Sequence, residues 1–191
     1  MVWGISDRQE ITFEIPYLSA DGASGFGDAV LGTKYQFLKE TEGAPGIAGS
    51  FEIKLANASQ SKGLGTGAME YDFRVRSQKT WGWFTGIINL GYTIIGEPNI
   101  DGVRQARQNV WFTAFAQEFE IFPETKLLSE IYWKESDEPD APNRFAFDVG
   151  FKHQILPHLA GHVAIGKSLR EDNVGGPNLR VYMGIKLEFP Y

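Results

Sequence analysis

Apolar and polar residues alternate along most of this chain with a period of two. In AMEYDFRVRSQ, residues 68 to 78, Glu70, Asp72, Arg74, Arg76 and Gln78 share one face, while Met69, Tyr71, Phe73 and Val75 share the other. Successive side chains of a strand point to opposite sides of its sheet, so this stretch is a strand with two unlike faces. EITFEIPY sets Ile11, Phe13, Ile15 and Tyr17 against Glu10, Thr12 and Glu14, and SFEIKLA sets Phe51, Ile53 and Leu55 against Glu52 and Lys54. RFAFDVGFK opposes Phe145, Phe147, Val149 and Phe151 to Arg144, Asp148 and Lys152. The pattern predicts about ten strands, at 9–18, 26–38, 47–56, 68–78, 83–95, 106–118, 126–135, 144–155, 160–169 and 179–189. Those at 83–95 and 106–118 carry apolar residues on both faces and are ambiguous. No segment keeps a helical period.

The connections between these strands come in two kinds. SADGASG, NASQSKGLGTG, GEPNIDGVRQ, ESDEPDAPN and REDNVGGPN are long, polar and rich in turn formers. They alternate with ISDR, KETEGAPG, QKTWG, FEIFPET and LPHL, most of them shorter, although KETEGAPG is long for its side. Long loops on one side and short turns on the other are the habit of an outer-membrane barrel, whose strands are close to this length. A soluble sandwich or a lipocalin-like barrel accounts for the alternation equally well. It accommodates the many large apolar side chains less well, because a closed core must fit them together and lipid need not.

Composition narrows the function. The 191 residues suffice for one domain, and the net charge of −6 with no basic cluster argues against a nucleic-acid partner. The chain has no Cys, so neither a disulfide framework nor a thiolate metal site is available. Its 22 Gly suit many turns, and no apolar run is long enough for a transmembrane helix. The start, MVWGISDRQE, lacks the basic and apolar stretches of a secretory signal.

The last segment, LRVYMGIKLEFPY, alternates Leu179, Val181, Met183, Ile185, Leu187 and Phe189 with Arg180, Tyr182, Gly184, Lys186 and Glu188. It resembles the C-terminal signal by which outer-membrane barrels are recognised for assembly, with Gly184, Leu187 and Phe189 at the signal's glycine and apolar places. Pro190 and Tyr191 follow, so the match is displaced from the chain end. Upstream, GISDRQEITFEIPYL, GFGDAVLGTKYQFL, GLGTGAMEYDFRV and INLGYTIIGEP follow in an order that resembles the bacterial outer-membrane family of the MetA-pathway of phenol degradation, a group of transporters of small organic compounds. Members of that family have further strands before the GISDR turn. The resemblance therefore implies a barrel lacking its first strands, with Met1 to Trp3 as the end of one of them.

GFGD and GLGTG are better read as loop-to-strand hinges than as phosphate loops, because no helix follows either. His158 and His162 lie four apart, but Pro157 and Gly161 forbid the helix that would aim both at one metal, and the three His are expected at turns or interfaces. Ser129 and Ser168 have no nucleophile motif around them. The candidates for function are the charges of the polar face, Glu52, Lys54, Glu70, Asp72, Arg74, Arg76, Glu130, Arg144, Asp148, Lys152, Arg180 and Lys186, and with them Glu10, Glu14, Asp28, Lys34, Lys134 and Glu188. Most would be a salt-bridged filling, and a few would line a narrow path. Asp72 can offset Arg74 on the same strand, which leaves Arg76 to a cross-strand partner such as Glu52.

The expectation is an all-β chain, an antiparallel transmembrane β-barrel of about ten visible strands, with twelve possible in a full-length relative, forming one domain over residues 1–191 that is truncated at its N-terminus. It would sit in the outer membrane of a Gram-negative bacterium as a channel or transporter for passive uptake of small compounds. That these are aromatic or hydrophobic comes from the resemblance alone. Expected partners are outer-membrane lipid, a small organic solute and, through the C-terminal strand, the outer-membrane assembly machinery. No cofactor, metal or catalytic residue is expected. The alternatives are a soluble or periplasmic all-β ligand-binding protein and a lipid-modifying barrel enzyme. Two tests follow. Phe13, Phe51, Tyr71, Phe73, Phe147 and Leu187 should lie outside the sheet, and Tyr17, Tyr35, Trp83, Trp133 and Tyr191 near strand ends.

Overall fold

The structure, a computed structural model, describes residues 1–20, 23–100, 102–169 and 179–187. The strands are β1 (Val2–Ser6), β2 (Gln9–Glu14), β3 (Tyr17–Ala20), β4 (Ala23–Phe26), β5 (Val30–Leu38), β6 (Gly46–Lys54), β7 (Glu70–Trp81) and β8 (Phe84–Ile95). They continue with β9 (Asn99–Ile100), β10 (Val103–Arg104), β11 (Val110–Phe122), β12 (Thr125–Lys134), β13 (Arg144–Leu156), β14 (Leu159–Ser168) and β15 (Leu179–Leu187). One short 3₁₀ turn, Gln60–Lys62, lies between β6 and β7.

Eleven strands form a single antiparallel meander in the order β1-β2-β5-β6-β7-β8-β11-β12-β13-β14-β15. The pairs β3–β4 and β9–β10 are separate small hairpins inside two of the long connections. All ten expected strands are present, and β1 adds an eleventh that contains Val2 and Trp3 and continues through Gly4–Ser6, where a turn was expected. Among the described residues, β2 lies between β1 and β5, and no hydrogen bond joins it to β15.

Tight turns close one rim. Gly82 takes a φ of +58° between β7 and β8, and Glu124 a φ of +63° between β11 and β12, the left-handed geometry that two-residue hairpins need. Two boundaries differ from expectation for identifiable reasons. The strand expected over 9–18 stops at Glu14, because Pro16 supplies no N–H to a ladder. Tyr17 belongs instead to the β3–β4 hairpin, edge-on to Phe26. The strand expected from 106 begins at Val110, because Gln108 donates its backbone N–H to the Asp137 carbonyl of another loop.

The two faces of the sheet differ in kind. By register Phe13, Phe51, Tyr71, Phe73, Phe147 and Leu187 all stand on one face. Met183 and Ile185 on that face are 81% and 73% exposed, although each would gain about 1.5–3 kcal/mol if buried from water. On the other face Ala146 and Val110 are fully buried, and Thr85, Asn89 and Thr93 are buried polar residues. This face is concave. The guanidinium of Arg180 on β15 lies 5.4 Å from the ring centre of Tyr132, three strands away on β12. A sheet with its large apolar residues outside and its small and charged residues inside suits lipid and not water.

Aromatic rings gather at both ends of the outer face. Trp83 and Phe84 meet Phe119 near the short turns, at 5.6 and 5.2 Å between centroids, and Tyr35 packs on Phe37. At the other end Tyr92 packs on Trp111 at 4.7 Å, and Trp133 stands one residue from the end of β12. Rings at both ends of an apolar band are what membrane interfaces select. Tyr191, Phe189, Pro190 and Glu188 lie outside the described residues.

Candidate functional site

The concave face collects every one of the twelve charges singled out in the sequence. Register puts Glu52 and Lys54 of β6, Glu70, Asp72, Arg74 and Arg76 of β7, Glu130 of β12, Arg144, Asp148 and Lys152 of β13, and Arg180 and Lys186 of β15 on this one side. Its charges then divide into those that are paired and those that are not.

Among the described residues, five ion pairs stand along the wall. Lys34 meets Glu10 directly across β2 and β5 at 2.6 Å, and Lys54 meets Glu70 across β6 and β7. Lys126 reaches Glu118 diagonally at 2.8 Å. Asp72 takes Nε and Nη2 of Arg74 at 2.7 and 3.4 Å, and accepts the Thr93 hydroxyl at 2.7 Å. Asp148 meets Arg180 at 3.3 Å across β14. The last pair needs Gly166 between its partners, because a Cβ there would overlap the Asp148 carboxylate.

Both paired arginines rest on rings. Arg74 lies 4.8 Å over Phe112 and Arg180 5.4 Å over Tyr132, and the two rings are 6.0 Å apart. Such cation–ring contacts contribute about 0.5–2 kcal/mol each. The intervening positions are small to let the long side chains cross. Gly91 lies under Arg74, where a Cβ would come within 3.3 Å of its side chain, and the fully buried Ala146 lies beside Tyr132.

Four of the twelve, Arg76, Glu52, Glu130 and Lys152, have no ion-pair partner among the described residues. Arg76 donates Nε to the side-chain oxygen of the buried Asn89 at 2.9 Å, and among the described residues its terminal nitrogens make no hydrogen bond or ion pair. Glu52 stands opposite Asp72 and Glu130 opposite Asp148, and in each couple the aspartate alone holds an arginine. Arg76 does not meet Glu52 as expected; register sets Glu52 across from Asp72, and puts Ala48 and Asn89 beside Arg76. Below Arg76 a cavity of about 330 Å³ opens toward the short-turn rim, lined among others by Arg8, Glu10, Lys34, Glu40 and Gln78.

Other candidates fall elsewhere. Asp28, expected on the polar face, lies outside every strand and is 7% exposed; its Oδ1 accepts Ala58 N–H and its Oδ2 accepts Thr66 N–H, each at 2.9 Å. GFGD and GLGTG pack together around it, with Leu64 against Gly25 and Gly65 against the Asp28 carboxylate. His158 is in a turn, and His153 is on the outer face bonded to Thr125 at 2.9 Å. His162, expected at a turn or an interface, lies within β14 on the inner face, against Gly184. Ser129 faces outward and bonds Gln117. Asn89, Phe112 and Tyr132 were not singled out in the sequence. Asn89 and Phe112 lie on the two strands whose mixed faces made them ambiguous, and only a polar residue amid apolar ones marked Asn89.

The antiparallel meander with its apolar outer face and charged inner face has the β-barrel fold of outer-membrane proteins. The chain belongs to the family described as "Putative MetA-pathway of phenol degradation", whose model matches residues 2–182. Among solved structures it is similar to the COG4313 outer membrane channel from Pseudomonas putida F1, with a TM-score of 0.78 and 15% identity over 97% of this chain and 80% of that one. It is also similar to the KdgM porin, solved in complex with disordered oligogalacturonate, with a TM-score of 0.72 and 8% identity over 100% of this chain and 90% of that one. No curated protein matches the sequence. The outer membrane is the location that this fold and family define.

Proposed function

We infer that the concave face lines a path by which small organic solutes cross the outer membrane passively. The observation that carries this reading is the division of the interior charges. A filled barrel would pair them all, whereas Arg76, Glu52 and Glu130 keep their charge toward the interior with no partner among the described residues. A charge left unpaired in a dry interior costs several kcal/mol, which for the permanently charged guanidinium of Arg76 favours a wet site. Aromatic or hydrophobic solutes fit the rings of Phe112 and Tyr132, and the family description names a phenol pathway. The outer face contacts lipid, and β15, with Gly184 and Leu187 in place, is the segment that the assembly machinery would read.

Planar-bilayer conductance tests the path. Wild type should conduct, and replacing both Arg74 and Arg76 by Glu should shift selectivity toward cations by severalfold, because it reverses the local field. Detergent-stable folding with no conductance in either protein would overturn the reading. The soluble alternative predicts a protein that stays monomeric without detergent, against the exposure of Met183, Ile185 and their neighbours.

A further inference from the structure

The cavity below Arg76 is laid out by strand register. Gln36 of β5 donates its backbone N–H to the Arg8 carbonyl at 2.8 Å and pairs with Ala48 of β6, which pairs in turn with Arg76 of β7. Arg8 and Arg76 therefore stand at the two ends of one row, three strand spacings or about 14 Å apart between backbones. Between them the floor is low. Ala48 offers only a methyl group and Gly46, two residues along β6, no side chain, so a cavity of about 330 Å³ remains, at the small end of the range for ligand sites.

The charges around this space do not balance. Asp7, Arg8, Glu10, Lys34, Glu40 and Arg76 all line it. Glu10 and Lys34 neutralise each other at 2.6 Å, and Glu40 is taken by the Thr80 N–H at 2.6 Å and by Lys79 at 3.6 Å. Among the described residues Asp7, Arg8 and Arg76 form no ion pair, which leaves two guanidiniums against one carboxylate. Arg76 is the better prepared of the two. Its Nε is fixed on Asn89 of β8, on the side of β7 away from the cavity, and its terminal nitrogens remain unused. A guanidinium held by one edge presents the other as a planar fork that matches both oxygens of a carboxylate.

We propose that this cavity is a station for small organic acids. The carboxylate takes the terminal nitrogens of Arg76, Arg8 supplies a second positive charge from the other end of the row, and the carbon part of the solute lies over Ala48. The station rests on the solute path proposed above and names the class of solute that pauses at its short-turn end.

Saturation-transfer NMR and calorimetry on the detergent-solubilised protein, at fixed ionic strength, read binding whether or not current flows. Propionate should bind about tenfold more tightly than propionamide, which has the same shape and no charge, and more tightly than inorganic phosphate. Arg76→Gln should reduce propionate to the level of propionamide, and Arg76→Lys should restore part of the loss, because the charge returns without the fork. Arg8→Gln should weaken binding severalfold. Ala48→Leu, which fills the floor and leaves both arginines in place, should exclude the solute. Arg107→Ala, which removes a cation from the long connection before β11, should leave binding unchanged. Propionate and propionamide binding alike in wild type would overturn the proposal, and so would unchanged propionate binding in Arg76→Gln. An equal loss in Arg107→Ala would overturn it too, by showing that net charge alone is read, and tighter binding of phosphate would overturn the assignment to carboxylates. Should a variant fail to fold, the three-ligand comparison in wild type decides alone. Selective binding without conductance would overturn the path and leave the station, and conductance without selective binding would do the opposite.

Discussion

The two rims of this barrel solve the same problem, joining antiparallel strands, in opposite ways. At one rim the chain turns in two residues at Asp7–Arg8, Gly82–Trp83, Pro123–Glu124 and Pro157–His158, and the strands themselves set the geometry. At the other rim the connections are long enough to fold on their own terms. The segments before β5 and before β7 pack together around buried Leu64 and Asp28, and the segments before β11 and β13 are tied by Arg107, whose Nη1 donates to Glu138 at 2.7 Å. The comparison teaches that a long loop with a buried carboxylate and its own small core is a built part of the wall end. The exception at the short rim supports this. The 39–45 connection is also long, and it is lashed to the neighbouring hairpin. Glu40 accepts the Thr80 N–H at 2.6 Å, and Lys79 donates to the carbonyls of Thr41 and Glu42.

If the long rim is built as described, Asp28→Ala should have the largest effect there. It strips two part-buried hydrogen bonds of their charged acceptor, at about 1.5–3 kcal/mol for each at most. Hydrogen exchange and proteolysis should open residues 55–69 while the strands stay protected; an unchanged loop would erase the contrast between the rims. Arg107→Ala should cost less, about 0.5–1 kcal/mol, because Glu138 is half exposed, and faster exchange at Gln108 would report it.

The smallest effect belongs to the short rim and depends on pH. The Thr80 N–H, aided by the charge of Lys79, holds the Glu40 carboxyl below its ordinary range. A carboxylate with a depressed pKa contributes stability that is present above its unfolded value and is lost as pH falls through its folded one. Protection of the Thr80 amide, measured against its intrinsic exchange rate, should therefore hold at neutral pH and fall only below the ordinary carboxylate range. Glu40→Gln should remove that pH dependence without disturbing Asp28.

Most of the strand layout was legible because lipid and a polar interior impose opposite demands on alternate residues, so Glu10, Glu52, Arg74 and Asp148 each marked the inner face. Legibility failed where that demand lapses. Along β8 and β11 the inner positions Ile87, Gly91, Ala114 and Ala116 need not be polar, because long side chains from other strands, such as Arg74, lie across part of this wall. Glycine at 91 and 166 reads as a weak strand residue in sequence and acts as clearance for an arginine in the fold. Which charges pair was equally hidden. Lys34 with Glu10 follows from simple register, but Arg180 with Asp148 crosses an intervening strand, and no local spacing announces it.

The aromatic belts carry a consequence for where this protein can live. Eight residue steps separate Phe84 from Tyr92 on β8, about 27 Å along the strand and about 20 Å along the membrane normal at the ~40° tilt usual for such barrels. That band is short for an ordinary bilayer, with a hydrocarbon thickness of about 30 Å, and suits the thinner outer membrane. In a thick bilayer the lipid would have to thin around the barrel, at a fraction of a kcal/mol per Å of mismatch. Reconstitution in short-chain lipids should therefore give the higher yield of folded protein, and acyl-chain length becomes a variable that any conductance measurement on this barrel must hold fixed.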